Sequence, residues 1–268
     1  MPLRLNPTFR DALAAADRPL VGMWVCTGSP LVAEICAGSG LDWLLVDMEH
    51  SPNGLESVLA QLQAVAPYPV TPVVRVPVGD VVMIKQVLDL GAQDLLVPMV
   101  SSAEAARAAV EAVRYPPRGR RGVGSALSRS ARWNRVEGYL ERADEHVSLF
   151  VQVETVEAVA AAGEIASVDG VDGVFVGPSD LAASMGLLGQ QTHPDVVAAV
   201  HRTIDAVRAA GKPVGVNAFD PALARAYVEA GASFVLVGAD VTLLAQGSEG
   251  LARLLAPSAD GVIAPPGT

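Results

Sequence analysis

The strongest constraint on the fold of this chain is a rhythm: eight short apolar runs, most of them followed by a stretch with helical spacing. The runs fall at residues 20–25, 43–46, 70–76, 94–98, 149–153, 173–176, 213–217 and 234–237. Segments at 54–65, 81–90, 103–113, 158–166, 194–210, 221–230 and 240–255, several of them alanine-rich, carry apolar residues at helical intervals. Gly91, Gly211 and Gly231 each stand just past such a segment, where a left-handed C-terminal cap belongs. Near-continuous apolar strands separated by helices belong to a parallel sheet covered on both faces. Eight of them predict α/β architecture closed into a single (β/α)8 TIM barrel, and 268 residues suit one such barrel of about 250. The barrel domain is expected over residues 1–256, with a disordered tail over 257–268 that holds Pro265-Pro266-Gly267.

Composition narrows the function. A net charge of −10 argues against a nucleic-acid partner, which calls for a basic face. It leaves room for an anionic substrate, since a bound metal and an arginine or two reverse the potential locally. Cys26 and Cys36 form neither a disulfide framework nor a zinc pattern and read as structural thiols of a reducing cytoplasm. No apolar run reaches the roughly 18 residues that span a bilayer, and no apolar segment follows a basic start. A cytoplasmic protein without a membrane partner is the expectation.

One segment breaks the rhythm. Residues 115–147 are long for a barrel connection and carry Arg118, Arg120, Arg121, Arg129, Arg132 and Arg135 among glycines and serines. Connections of this length are usually functional, and this one is expected after strand 4, beside the barrel mouth.

Candidate chemistry gathers at strand ends, where barrels of this kind build active sites. Glu154 closes one apolar run, and Asp180 follows Val174-Phe175-Val176-Gly177-Pro178-Ser179. A buried carboxylate without a partner is strongly disfavoured, so a hard divalent cation held by oxygen ligands is the simplest companion for the pair. Gln152, two residues before Glu154, shares its face of the strand. The structural alternatives are helix caps: Glu154 at a helix start, and Ser179 or Asp180 capping the next helix. Exposed N–H groups at the Gly177–Asp180 turn would also receive a carboxylate. Asp47, Glu49 and His50 end another run, and a histidine oriented by an aspartate is a common general acid–base pair. Arg75, at the end of the third run, suits a carboxylate or an enolate oxygen, or else a structural salt bridge. Lys85 and Asp89, four apart on a helix, read as a surface ion pair. With only Lys85 and Lys212, neither at a strand end on the mouth side, Schiff-base chemistry is not expected. A phosphate site is disfavoured by Gly238-Ala239-Asp240, which puts an acid where N–H groups would be needed.

With these residues assembled, the chain resembles the HpcH/HpaI family of class II, metal-dependent pyruvate aldolases from about Phe9 to Leu255. The blocks that carry the resemblance include Asp42-Trp43-Leu44-Leu45-Val46-Asp47 with Glu49-His50, Val73-Val74-Arg75, Ile84-Lys85-Gln86-Val87-Leu88-Asp89 and Val97-Pro98-Met99-Val100. They continue with Arg114-Tyr115-Pro116-Pro117-Arg118-Gly119, Arg132-Trp133-Asn134 and Gly170-Val171-Asp172-Gly173-Val174-Phe175-Val176-Gly177-Pro178. The resemblance implies that Glu154 and Asp180 hold Mg2+, Mn2+ or Co2+, and that pyruvate and a small aldehyde are joined or released through a metal-bound enolate. It implies that Gln152 positions the ligand, that N–H groups around Gly177, Pro178, Ser179 and Asp180 take the pyruvate carboxylate, and that Arg75 stabilises the enolate oxygen. His50, paired with Asp47, would move the proton. Trp24 would lie near the pocket, and Val216 in a stretch that borders the aldehyde. It further implies a homo-oligomer, a hexamer built as a trimer of dimers. Its last helix would pack on a neighbouring subunit, and Asp89 would approach the neighbour's site. Oxaloacetate decarboxylation would use the same site. A 2-keto-3-deoxy sugar-acid aldolase and a non-catalytic metal-binding barrel are the alternative readings. Met48, where a glycine is common, and Ser179, where an alanine is frequent, depart from the family pattern, as do residues 76–78 and 214–218.

Overall fold

A computed structural model describes residues 3–254. The expected tail over 257–268 and the end of the expected domain lie outside the described residues. The chain opens with α1 (Phe9–Ala15), β1 (Leu20–Val25), α2 (Pro30–Ala37), β2 (Trp43–Asp47), α3 (Leu55–Val65) and β3 (Thr71–Arg75). It continues through α4 (Val81–Asp89), β4 (Asp94–Val97), α5 (Ala103–Val113), β5 (Ser148–Val153), α6 (Val156–Ala160) and α7 (Ala162–Ala166). Then come β6 (Gly173–Val176), α8 (Pro178–Ser184), α9 (Pro194–Ala209), β7 (Val214–Asn217), α10 (Pro221–Glu229), β8 (Phe234–Ala239) and α11 (Asp240–Arg253). The strands pair in parallel in chain order, and β8 closes on β1. The expected (β/α)8 barrel is the observed fold. Gly91, Gly211 and Gly231 take φ of 92°, 75° and 109°, the left-handed caps read from the sequence. The expected helix over 158–166 is two short ones, α6 and α7.

The period-two geometry of the strands sorts their side chains into two cores. Inside the barrel, Trp43, Phe150, Phe175 and Phe234 meet edge to face or stacked, with Leu45, Val73, Leu96 and Leu236. Glycines on the same inner face make room for the rings. A Cβ on Gly215 would fall 2.1 Å from the Phe234 ring, and one on Gly22 2.5 Å from Trp43. Outside, Val46, Val74, Val151, Val174 and Val216 pack under the helices.

The bottom of the barrel is closed by α1. Phe9 sits among Trp43, Phe150 and Phe234 at centroid separations of 5.0, 5.2 and 5.3 Å. Its N–H donates to Asp94 Oδ1 at 2.7 Å, and Ser148 Oγ donates to the same oxygen at 2.5 Å.

The arginine-rich connection is not at the mouth. It leaves the end of α5 and enters the start of β5, and a helix that has returned from the C-terminal end of its strand finishes at the opposite face. Residues 115–147 therefore wall the N-terminal face, where Arg129 N–H donates to Asp89 O at 2.9 Å and Arg10 Nη1 to Val147 O at 3.3 Å. The connection is organised around Arg121, whose side chain is fully buried. Its guanidinium lies 4.6 Å from the Tyr115 ring centre and donates to Tyr139 Oη at 3.2 Å.

Burial pushes the Asp94 carboxyl up to about 7 from an ordinary 3.8. A pKa raised by folding favours the protonated form in the native state. The contribution to stability is therefore complete below the unfolded pKa and is lost as pH rises through about 7. Asp94→Asn keeps the acceptor for Phe9 and Ser148 but cannot ionise. It is expected to melt higher than the parent near about pH 8 and alike near about pH 4. Parallel melting curves at both values would refute the buried-carboxyl assignment.

Candidate active site

Arg75, the last residue of β3, is buried at the mouth of the barrel with 5% of its surface exposed. Its Nε donates to Asp47 Oδ1 at 2.8 Å, and its Nη1 lies 2.8 Å from Glu49 Oε2. The guanidinium lies over the Trp24 ring, 4.3 Å from its centre, and Trp24 Nε1 donates to Asn217 Oδ1 at 3.0 Å. The salt bridge considered for Arg75 is thus present, and it stands at the centre of the mouth.

Asp47 does more than hold the arginine. Its carboxylate accepts from the N–H groups of Glu49 and His50 at 3.0 and 3.2 Å. Its carbonyl accepts from Ser51 Oγ and Asn53 Nδ2. The turn after β2 is pinned by this one residue. The expected pairing of Asp47 with the His50 ring is not what forms, because both carboxylate oxygens are engaged by Arg75 and the backbone. The His50 ring is exposed, and its nearest carboxylate is Glu49, with Nε2 4.0 Å from Oε2.

Glu154, just past β5, is buried at 4% exposure. Its Oε1 accepts from Met99 N–H at 2.6 Å, and Met99 adopts a left-handed φ of 57° after β4. Its Oε2 accepts from Gln152 Nε2, as the shared strand face predicts. Gly177 allows this approach: a Cβ there would lie 3.3 Å from Glu154 Oε2 and 3.2 Å from Gln152 Nε2. Burial pushes the Glu154 carboxyl up and the Asp180 charge adds to this, against Gln152, Met99 N–H and Arg75. Glu49 is also pushed up, first by burial and next, beyond the opposing Arg75, by Glu154. Ser179 and Asp180 are exposed in the first turn of α8, behind Gly177 and Pro178. Glu154 is thus close enough to act on Glu49, and Asp180 on Glu154, with Arg75 opposing both shifts.

Two expected positions lie elsewhere. Val216 is fully buried in the outer core under the helices, so its side chain cannot border a ligand in the mouth. Its neighbour Asn217 reaches inward instead, and the alternation of β7 from the inward-facing Gly215 would have found it. Asp89, at the end of α4, is at the opposite face from the mouth of its own barrel. Its nearest cation is Arg121 at 3.8 Å rather than Lys85. At the other rim, Asp240 accepts from the N–H groups of Cys26 and Thr27 at 2.8 and 3.0 Å. An acid, not a phosphate, uses these donors. Cys26 and Cys36 are free thiols. Among the described residues no group of three or more His, Cys, Asp or Glu side chains is placed to bind a metal.

Residues 20–247 match the family model described as HpcH/HpaI aldolase/citrate lyase. The chain belongs to this family. A 4-hydroxy-2-oxo-heptane-1,7-dioate aldolase of Salmonella heidelberg (strain SL476) is 54% identical over 248 residues, covering 92% of this chain and 94% of its own. The crystal structure of an HpcH/HpaI aldolase/citrate lyase family protein from Burkholderia cenocepacia J2315 superposes with a TM-score of 0.87 at 41% identity, covering 91% of this chain and 97% of that one. A citrate synthase, SbnG, gives a TM-score of 0.81 at 27% identity, covering 91% and 96%.

Asp47→Ala would leave the buried Arg75 with one acid and release the turn that follows β2. Breaking a buried pair from one side costs about 3–5 kcal/mol. Urea unfolding should show a loss of that order, and an unchanged midpoint would mean that Glu49 alone suffices.

Proposed function

We propose that the chain is a class II pyruvate aldolase, a divalent-metal-dependent carbon–carbon lyase that reversibly cleaves 4-hydroxy-2-oxo acids to pyruvate and an aldehyde. The observation that carries the reading is the buried Glu154, held by Gln152 and Met99 N–H, with Asp180 near enough to raise its pKa and Arg75 close by.

The residues present fit a hard divalent cation, Mg2+, Mn2+ or Co2+. Two carboxylates supply oxygen donors, and both Glu154 and Glu49 are pushed up in a mouth where acids outnumber Arg75. Gln152 Oε1 is buried with no hydrogen-bond partner, a polar atom left over beside Glu154. Two protein ligands leave positions for water and substrate, as such ions require. When bound, the ion supplies Lewis-acid polarisation of a keto group and positive charge against a developing enolate. Glu154 and Asp180 are the residues that would hold it. Gln152 and the Met99 N–H fix the Glu154 carboxylate in one orientation, so no reorganisation is required when charge develops. The N–H groups of Ser179 and Asp180, in the first turn of α8, have no intrahelical partner and would receive the substrate carboxylate. Arg75, already desolvated, would face the oxygen on which negative charge accumulates. His50 would give or take the proton at Nε2, with Glu49 Oε2, 4.0 Å away, rather than Asp47 as its neighbouring acid. A cytoplasmic location accords with this substrate class, and among the described residues no helix is long and apolar enough to cross a membrane.

The same reading includes assembly. Helix α11 leaves the barrel with Val241, Leu243, Leu244 and Leu251 exposed. An apolar groove of about 470 Å3, lined by Val21, Val228, Val235 and Val237, runs along the barrel wall. We propose that α11 packs on a neighbouring subunit within a hexamer, and that Asp89 approaches the neighbour's site.

Metal-stripped protein with pyruvate in D2O tests the chemistry through the methyl signal in proton NMR. Exchange is expected on adding a divalent metal. Asp180→Ala should abolish both metal binding and exchange, whereas His50→Ala should slow exchange with metal binding intact. Parental metal affinity in Asp180→Ala would remove the ligand assignment. Assembly is tested separately by Leu243→Asp with Leu244→Asp, expected to lower the mass in sedimentation. An unchanged mass would place the subunit contact elsewhere.

A further inference from the structure

At the face where the strands begin, two arginines share a crevice, and among the described residues neither forms an ion pair. Arg129 and Arg132 are half-buried in the 115–147 connection. They border a cavity of about 60 Å3 whose other polar lining is Asn6, Thr71, Gln93 and Asp94, against an apolar wall that includes Leu62 and Val70. Each directs one N–H to a backbone carbonyl: Arg129 Nη1 donates to Leu90 O at 2.9 Å, and Arg132 Nη1 to Arg129 O at 2.6 Å. A guanidinium has five donors, so most of both sets remain available. Arg114, Arg118, Arg120 and Arg142, in and beside the same connection, all pair with acids. Among the described residues Arg129 and Arg132 pair with none, and no acid appears among the groups that act on them.

The backbone brings the two together. Gly91, at a φ of 92° past α4, would place a Cβ 2.7 Å from Arg129 Nη1 and 2.8 Å from Arg132 Nη1, so both guanidiniums converge over one glycine. Arg132, Trp133 and Asn134 follow one another in the left-handed region, with φ of 48°, 55° and 62°. L-residues rarely adopt it, and it persists where the surroundings impose it, often at binding sites. Burial lowers the pKa of both arginines, and for Arg129 the proximity of Arg132 adds to it. Asp94 is on the same cavity wall; its Oδ1 accepts from Phe9 N–H and Ser148 Oγ, and neither arginine is among the groups that act on it.

We propose that Arg129 and Arg132 form a binding site for a small tetrahedral oxyanion, inorganic phosphate, at the opposite end of the barrel from the aldolase site. Two forked guanidiniums match an oxyanion through paired N–H donors. The cavity holds about twice the ~30 Å3 share of a water molecule, room for one such group. The site does not rest on the aldolase reading. A bound anion would tie the N-terminal segment at Asn6, the start of β3 at Thr71 and the end of α4 at Leu90.

Metal-free, full-length protein titrated with phosphate by calorimetry at constant ionic strength tests the proposal, with acetate run in parallel. One phosphate per chain is expected. Arg129→Gln and Arg132→Gln should each weaken it by about tenfold or more, the loss of one charge-assisted contact. Binding unchanged in both variants, or acetate binding as tightly as phosphate, would overturn the assignment. If the variants do not fold, crystals of the parent soaked in selenate decide. An anomalous peak between the two guanidiniums supports the site, and its absence, or a carboxylate of a second copy in the crevice, rejects it.

Discussion

A guanidinium taken out of water at the end of β3 is what the upper half of this barrel is arranged around. Arg75 cannot be left alone there, because a desolvated charge without partners costs several kcal/mol. Asp47 from the end of β2 and Glu49 from the turn behind it meet it at 2.8 Å each. Trp24 of β1 covers its face and fastens to Asn217 of β7. Four strand ends are thereby referred to one charge. A second constraint completes the rim on the other side, where Met99 after β4 and Gln152 on β5 both bond Glu154. These polar contacts tie the mouth together above the aromatic layer.

The electrostatics of the mouth follow from this arrangement. Arg75 is already shared between two acids, so its charge is largely spent before Glu154 and Asp180 are counted. Burial and mutual repulsion push the Glu154 carboxyl up, and Glu49 moves the same way. A site with this imbalance favours a cation and a substrate that arrives with it.

Much of this was legible in the sequence, because a parallel barrel writes itself as apolar runs and helical stretches with glycine at the helix ends. All eight strands lie within a residue or two of the expected runs. The carboxylates at strand ends were legible for the same reason: period two and a hydrophobic strand leave few explanations for a terminal acid. What escaped was direction. Residues 115–147 were read as a mouth loop because they are long and basic, yet the chain had already returned to the lower face along α5. Val216 was chosen over Asn217 within a correct strand, a one-residue error that exchanges inner and outer faces. The partner of the His50 ring was missed because Asp47 is claimed by Arg75, a contact between strands that linear spacing does not reveal. The helix α1 gave no strand-like signal, and its place beneath the barrel depends on partners far along the chain.

That last feature bears on the order in which the protein can assemble. Phe9 precedes all eight strands, and the groups that receive it belong to residues 43, 94, 150 and 234. A segment synthesised ahead of every strand it packs against has nowhere to settle until the last strand has met the first. During synthesis α1 must wait, tethered and unpacked, while the half-formed sheet keeps an open floor. Contacts of such separation slow folding, because chain entropy is lost before they form. The plug is therefore placed late and made early, and extensions fused ahead of it would trail from the side of the barrel farthest from the chemistry.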